Sequence, residues 1–286
     1  MKIGQLFKGE KCPFALEVFP PKKQSGIELV YRMLDEIKAV PADYVSVTYS
    51  AGGGGASEFT AQIAGYLKNE LGIEPLAHLT CVNARRDVVV QELQRFKDVG
   101  VENILALRGD RNPDIPPCRD FAHADELMAE VKNGGDFYVV GACYPEGHPE
   151  SAGMDEDIAR LRGKLDAGAG HLVSQLFFDN RKFYRFLDMA RKKGIDCPVE
   201  AGIMPVVKPE QISRMVSLSS ASLPAGFSRW VSRWADDAEA FYKAGVAYAI
   251  EQIRDLIKSG VDGIHLYAMN NAAVAKEIYD GVADLL

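Results

Sequence analysis

The segment Leu107-Arg108-Gly109-Asp110 places a cation and an anion, split by glycine, at the end of the apolar run Asn103-Ile104-Leu105-Ala106-Leu107. A buried strand that releases Arg and Asp at its C-terminal end is how a parallel α/β enzyme builds an active site. The pattern recurs. Strand-like runs end in Glu17-Val18-Phe19-Pro20-Pro21, Thr48-Tyr49-Ser50, His78-Leu79-Thr80-Cys81, Tyr144-Pro145-Glu146-Gly147-His148, Gln175-Leu176-Phe177-Phe178-Asp179 and His265-Leu266-Tyr267. Polar groups at so many strand ends predict one shared pocket.

Glu17 lies inside the apolar run Phe14 to Phe19. Burial disfavours an ionised carboxylate, so its pKa is expected to rise, as a general acid at neutral pH requires. A Glu satisfied by a neighbouring cation inside a barrel is an equal reading. Thr48 precedes four glycines, Gly52 to Gly55, that could bring backbone N–H groups to a phosphate or simply form a flexible loop. Neither GxGxxG nor GxxxxGK[ST] is present. His78 and His148 stand at strand ends without metal-ligand spacing, so hydrogen bonding to an organic cofactor is the better functional reading and no metal is expected. His123 and His171 read as structural or solvated. Asp157 and Lys164, seven apart on an expected helix, share one face with Arg160 nearby. An isolated stripe of this kind is ordinarily a solvated surface. Gln175 is polar within an apolar strand and needs a partner, either a ligand or a barrel neighbour. GxSxG, SxxK and catalytic-cysteine signatures are missing, so nucleophilic hydrolase chemistry is not supported.

Helices and strands must alternate to place these residues together. Strand-like runs cover Phe14–Phe19, Tyr44–Tyr49, Pro75–Cys81, Asn103–Arg108, Tyr138–Tyr144, His171–Phe178, Val199–Val206 and Gly263–Met269. Helical periodicity follows each one, at Gly26–Val40, Ser57–Leu71, Ala84–Val99, Ala122–Lys132, Asp155–Ala167, Arg181–Lys193, Pro209–Leu218 and Ala272–Leu286. Eight βα units in a chain of 286 residues predict one catalytic (β/α)8 TIM barrel domain over residues 1–286. An open doubly wound sheet is the alternative, but it would gather polar residues at its switch point rather than at nearly every strand end. Between the seventh helix and eighth strand, Phe227–Trp234 and the long helical run Asp237–Lys258 form an insertion.

Bulk properties narrow the function classes. Apolar residues make up 47% of the chain and the net charge is −7, which argues against general nucleic-acid binding. No apolar run is long enough to span a bilayer, and the N-terminal residues are too polar for a signal peptide. The cysteines, Cys12, Cys81, Cys118, Cys143 and Cys197, are scattered and never form CxxC, so reduced thiols in a cytoplasmic protein are expected.

Taken in order, these motifs resemble those of the 5,10-methylenetetrahydrofolate reductase family, in its bacterial form with only the catalytic barrel. Leu16-Glu17-Val18-Phe19-Pro20-Pro21 is similar to its FEFFPP, and Val47-Thr48-Tyr49-Ser50-Ala51-Gly52-Gly53 to its VTYGAGG. His78-Leu79-Thr80-Cys81, Leu107-Arg108-Gly109-Asp110 and Tyr144-Pro145-Glu146-Gly147-His148-Pro149 resemble HLTC, LRGD and YPExHP. Gln175-Leu176-Phe177-Phe178-Asp179 and Gly202-Ile203-Met204-Pro205 resemble QxFFD and GIxP. Each motif alone is weak; seven in register are specific.

The resemblance implies a flavoprotein oxidoreductase. It would reduce 5,10-methylenetetrahydrofolate to 5-methyltetrahydrofolate by ping-pong hydride transfer, with FAD at the barrel mouth and NADH or NADPH as donor. Asp157 and Lys164 favour FAD over FMN. Carried over by position, Thr48, His78, Arg108, Gly109, Asp110, Tyr144, His148, Asp157 and Lys164 would line the flavin. Glu17 would be the general acid that opens the substrate's imidazolidine ring, Asp110 would tune flavin and iminium, and Gln175, Met215 and Tyr267 would meet substrate. Three positions depart from the enterobacterial pattern. Asn271 follows Tyr267-Ala268-Met269-Asn270 where an Arg is usual, Met215 takes the place of a Phe, and Arg160 that of an Asn. The first two bear on the electron donor. They leave room for a flavin- or folate-holding subunit fed by a second electron-transfer subunit, or for a homo-oligomer. A barrel lyase or aldolase would need a Schiff-base Lys on a strand or a metal site, and the strand interiors contain no Lys.

Overall fold

The computed structural model describes every residue except 22, 50–55, 111–117, 119 and 220, and leaves out the side chains of 56–58, 214, 217 and 218. The glycine-rich loop and the Pro-rich stretch after Asp110 therefore lie outside the described residues.

Eight parallel strands close into a barrel in sequence order. They are β1 (Phe14–Val18), β2 (Tyr44–Val47), β3 (Pro75–Thr80), β4 (Asn103–Leu107), β5 (Tyr138–Cys143), β6 (Ala169–Ser174), β7 (Val199–Ile203) and β8 (Gly263–Tyr267). Closure comes from β1 pairing with β8, with Glu17 level with Tyr267 on one side and with Ser46 of β2 on the other. Strands of a closed parallel barrel are covered on both faces, so β2 and β7 are buried throughout even where they carry Tyr44, Ser46 and Glu200. The (β/α)8 expectation holds, and the open sheet is excluded.

The outer layer comprises α1 (Ile27–Ile37), α2 (Ala56–Tyr66), α3 (Arg86–Asp98), α4 (Ala124–Gly134), α5 (Met154–Asp166), α6 (Asn180–Lys192), α7 (Glu210–Ser219) and α10 (Ala272–Val282). The insertion forms α8 (Ala225–Trp234) and α9 (Ala238–Lys258). Helix α9 lies hard against the chain leaving β7: a Cβ on Gly245 would stand 1.8 Å from the Val206 carbonyl oxygen, so only glycine permits that approach. The floor of the barrel is stopped by a 3-10 turn, Ile3–Lys8. Ile3 is fully buried and its N–H donates to Asn103 Oδ1 at 2.9 Å.

Most elements end a few residues short of the expected runs, and two of these boundaries bear on the argument. Strand β6 ends at Ser174, so Gln175 lies just beyond it rather than inside it. The helical pattern expected to reach Leu71 closes as a π turn, Leu67–Leu71. No described helix is long and apolar enough to cross a membrane.

Candidate active site

The strand ends surround one cavity of about 530 Å³, a size suited to small-molecule binding. Glu17, Thr48, His78, Arg108, Gly109, Asp110, Tyr144, His148, Asp157, Lys164, Gln175 and Tyr267 all line it. Met215 does not. Its side chain is buried beneath α7 with Leu176, Phe178, Val206 and Phe227, in an apolar cluster beside the cavity.

Glu17 sits at the floor. Its Oε2 lies 3.3 Å from His265 Nε2, 3.4 Å from Ser46 Oγ and 3.4 Å from His78 Nε2. Burial pushes its pKa up, as the sequence implied. The hydrogen bond from His265, the histidine charges and the Ser46 hydroxyl outweigh burial, and the net direction is down. The expected rise is therefore overturned: alternate-residue geometry aims donors from β2 and β8 at the carboxylate. His78 contributes little charge at neutral pH, because burial depresses its own pKa to about 4. Its Nε2 is buried without a hydrogen bond among the described residues. The imidazole thus presents a polar atom to the cavity that a ligand can satisfy.

The opposite wall is built by β4, β5 and α5. Gly109 has φ of +85°, and a Cβ there would stand 3.0 Å from Thr80 Cβ, so glycine is required for the turn that presents Arg108 and Asp110. The Arg108 guanidinium is bidentate on Glu150, at 2.7 and 2.8 Å. Tyr144 packs edge-on against His148, with ring centroids 4.7 Å apart. Burial raises the Tyr144 hydroxyl to about 12 and lowers His148. The Asp157–Lys164 face is not a solvated stripe. Asp157 is 5% exposed and accepts the His148 backbone N–H at 3.2 Å. Lys164 Nζ donates to the Ala142 carbonyl at 2.6 Å. Burial moves both toward their neutral forms, raising Asp157 and lowering Lys164. Arg160 also lines the cavity, with its guanidinium paired to Glu156 at the more exposed edge.

Gln175 finds its partner locally, its Oε1 accepting the Leu176 N–H at 2.9 Å. Tyr267 donates to the Ser174 carbonyl at 2.7 Å across the mouth. Asn271 caps α10, accepting the Val274 N–H at 3.1 Å. Asn270, left-handed at φ +54°, bonds both the N–H and the carbonyl of Phe19 at 2.9 Å. That clasp ties the β8 loop to the end of β1. His171 is structural, fully buried against Glu200, and His123 lies at the cavity rim.

Sequence reasoning missed His265 and Ser46, which touch Glu17 directly. The available signal was parity. Tyr44, Ser46 and Thr48 alternate along and just beyond β2, as His265 and Tyr267 do in β8, so each set shares one face.

The family description Methylenetetrahydrofolate reductase matches residues 2–283. The 5,10-methylenetetrahydrofolate reductase of Escherichia coli is 31% identical over 266 residues, covering 92% of this chain and 88% of that protein. The chain belongs to the methylenetetrahydrofolate reductase family. Methylenetetrahydrofolate reductase (NADH) 1 of Arabidopsis thaliana is 31% identical over 284 residues, 94% of this chain but 48% of the plant protein. The chain thus spans about half the length of the plant and yeast relatives it matches. Among solved structures, a Clostridium thermocellum protein that binds two copies of 5-methyl-5,6,7,8-tetrahydrofolic acid superposes with a TM-score of 0.71 at 14% identity, covering 98% of this chain and 99% of that one. That likeness is one of fold.

Proposed function

We propose that this protein reduces 5,10-methylenetetrahydrofolate to 5-methyltetrahydrofolate, using bound FAD and a nicotinamide donor, NADH or NADPH. The observation that carries the reading is the placement of Glu17. A carboxyl group at the cavity floor, bonded to a histidine able to share its proton, is what protonation of a leaving ring nitrogen needs.

The opposite wall suits a flavin nucleotide. It offers Arg108 and Lys164 to anionic groups and Asp157 to hydroxyls, and His78 of β3, beside Glu17, adds an Nε2 without a hydrogen bond among the described residues for a ring heteroatom. The close turn at Gly109 lets main chain approach a flat ligand. The flavin, when bound, supplies hydride storage between the two substrates. The chain's own residues do the rest. Glu17 yields a proton to the substrate nitrogen whose C–N bond breaks, leaving an electrophilic carbon. Asp110, at the mouth, stabilises the resulting positive charge. Gln175 can turn its amide from the Leu176 N–H to the pterin edge.

The deciding experiment is anaerobic. Purified protein is examined for a visible flavin spectrum, and the cofactor released by acid is identified. The reduced protein is then mixed with methylenetetrahydrofolate. Flavin reoxidation coupled to formation of methyltetrahydrofolate supports the reading, and a flavin that stays reduced defeats it. Reduction by NADH or NADPH without a partner would remove the need for a second electron-transfer subunit.

A further inference from the structure

Below Glu17 the barrel interior carries a chain of hydrogen bonds that the proposed reaction does not yet use. Tyr44 Oη donates to Glu200 Oε2 at 2.5 Å and lies 3.4 Å from His265 Nδ1. His171 Nε2 lies 3.1 Å from the same Glu200 oxygen, and His171 Nδ1 lies 3.2 Å from Tyr138 Oη. Tyr44, Glu200, His171, His265 and Ser46 are all 0% exposed. Barrel interiors of this type are ordinarily filled by branched apolar residues, so five buried polar groups in contact call for a reason.

The direction of each bond follows from donor counting. The Glu200 carboxylate only accepts. Tyr44 therefore spends its single proton on Glu200. Burial and the Glu200 charge raise the Tyr44 pKa well above its usual value, keeping that proton in place. Toward His265, Tyr44 Oη can then offer only a lone pair, so His265 Nδ1 carries the proton. By the same rule His171 donates from Nε2, and its Nδ1 accepts from Tyr138. Every dipole converges on Glu200. At the upper end, His265 Nε2 is left facing Glu17 Oε2 and Ser46 Oγ, 3.2 Å away.

We propose that Tyr44 and Glu200 are positioning residues for the acid Glu17: they fix His265 in its Nδ1–H form, so that its Nε2 and the Glu17 carboxyl share one proton. This rests on the reading of Glu17 as the acid. The shared proton lies between His265 Nε2 and Glu17 Oε2. Substrate expels water, which disfavours separated charges, and so favours the proton on Glu17 Oε2 with His265 neutral. Glu17 then gives it to the substrate nitrogen as the C–N bond's electron pair moves there. The pair has lost one proton, and water restores it when product leaves.

The groups facing His265 are Glu17 from β1, Tyr44 and Ser46 from β2, His78 from β3, Glu200 from β7 by way of Tyr44, and Tyr267 beside it on β8. Of these, Glu200 supplies the negative charge from below. Removing that charge makes the pair release its proton at lower pH.

The test uses full-length holoenzyme carrying Glu200→Gln or Tyr44→Phe. The alkaline limb of the folate half-reaction should move to lower pH by about one unit in each, the scale of a lost charge or hydrogen bond. The rate at neutral pH should fall while the flavin spectrum and folate affinity stay unchanged. Selective 15N-histidine NMR, assigned with His265→Gln, should show His265 protonated at Nδ1 in the wild type. In Glu200→Gln that preference should weaken, since a neutral amide oxygen holds the Tyr44 proton less strongly than a carboxylate and Tyr44 can then donate toward His265 Nδ1. An unmoved alkaline limb in both variants, or a wild-type His265 whose Nδ1 carries no proton, overturns the proposal. If Glu200→Gln does not fold, Tyr44→Phe decides by its pH profile. If the protein reduces no folate, the functional reading fails, while the wild-type tautomer still decides whether this chain orients His265.

Discussion

The barrel interior has two unlike walls. On β3, β4 and β5 the core is Leu76, Leu105 and Val140, packed with Ile3, Ala15 and Val173. On β7, β8, β1 and β2 it is Glu200, His265, Glu17, Tyr44 and Ser46, held by hydrogen bonds. Tyr44 belongs to both, its ring in the apolar cluster and its hydroxyl on Glu200. Apolar side chains stabilise by leaving water and filling volume, with no dependence on pH. A buried carboxylate gains little net stability even when fully bonded, and apolar residues of the same size would serve the fold as well or better. The polar wall therefore reads as machinery, and the apolar wall as support. Substitutions on the two should fail in different ways.

The largest effect is expected at the top of the polar wall. Glu17→Gln keeps the shape and removes the proton. Flavin should still bind and be reduced, while the folate half-reaction slows about a hundredfold to ten-thousandfold, the usual range for a general acid. Stopped-flow reoxidation by methylenetetrahydrofolate measures it. Full turnover would make Glu17 a structural carboxylate and erase the distinction between the walls.

Leu76→Ala is the matching change in the apolar wall. Leu76 is 0% exposed and does not line the cavity. Truncation should cost about 2–5 kcal/mol of unfolding free energy through lost burial and the void left behind. Denaturant melts read that cost. The pH profile of the surviving activity should match the wild type, and a shifted profile would mean the walls are not separable.

How far this contrast could be read from sequence differs between its parts. Alternating βα periodicity is local, so the strands were legible, and so were the polar residues at their ends. The partners of Glu17 were not. His265 is 248 residues away, and it meets Glu17 only because β8 closes against β1. The expectation of a raised Glu17 pKa used burial alone, and the nonlocal donors reversed the direction. Met215 was misplaced for a similar reason. Helical periodicity shows which face is apolar but not whether that face meets substrate or the inserted helices, and here it packs with Phe227 of α8 and Phe241 of α9. Asn271 shows that a departure from a family pattern can have a local use, since it caps α10.

Above the two walls, the nucleotide side of the mouth gives a third, smaller effect. Lys164→Met removes a half-buried cation while keeping most of the side-chain volume. A charge-assisted hydrogen bond is worth about 1.5–3 kcal/mol, so flavin affinity should drop about ten- to a hundredfold. The wild type should also lose flavin in alkali sooner than an ordinary lysine would predict. Burial lowers the Lys164 pKa, so the charge present at neutral pH disappears as pH rises through that lowered value. Flavin fluorescence released across an alkaline titration tests both statements. The variant should show no alkaline step of its own, and an identical step in wild type and variant would assign it to another group.

The smallest effect is expected at Glu150. Its carboxylate holds both terminal guanidinium nitrogens of Arg108, although Glu150 itself is 48% exposed. Such half-exposed pairs contribute at most about 1 kcal/mol, since water and salt screen them. Yet the pair occupies the cation that the proposed function assigns to the cofactor, so binding must open it. Glu150→Gln leaves Arg108 without that competing anion. Flavin should then bind tighter, by about fivefold at most, and the gain should shrink as ionic strength rises and screening weakens the wild-type pair. Equilibrium titration of apoprotein with FAD at two salt concentrations measures it. A weaker complex in the variant would instead show that Glu150 holds Arg108 in the orientation the cofactor needs, making the pair part of the binding wall rather than its competitor.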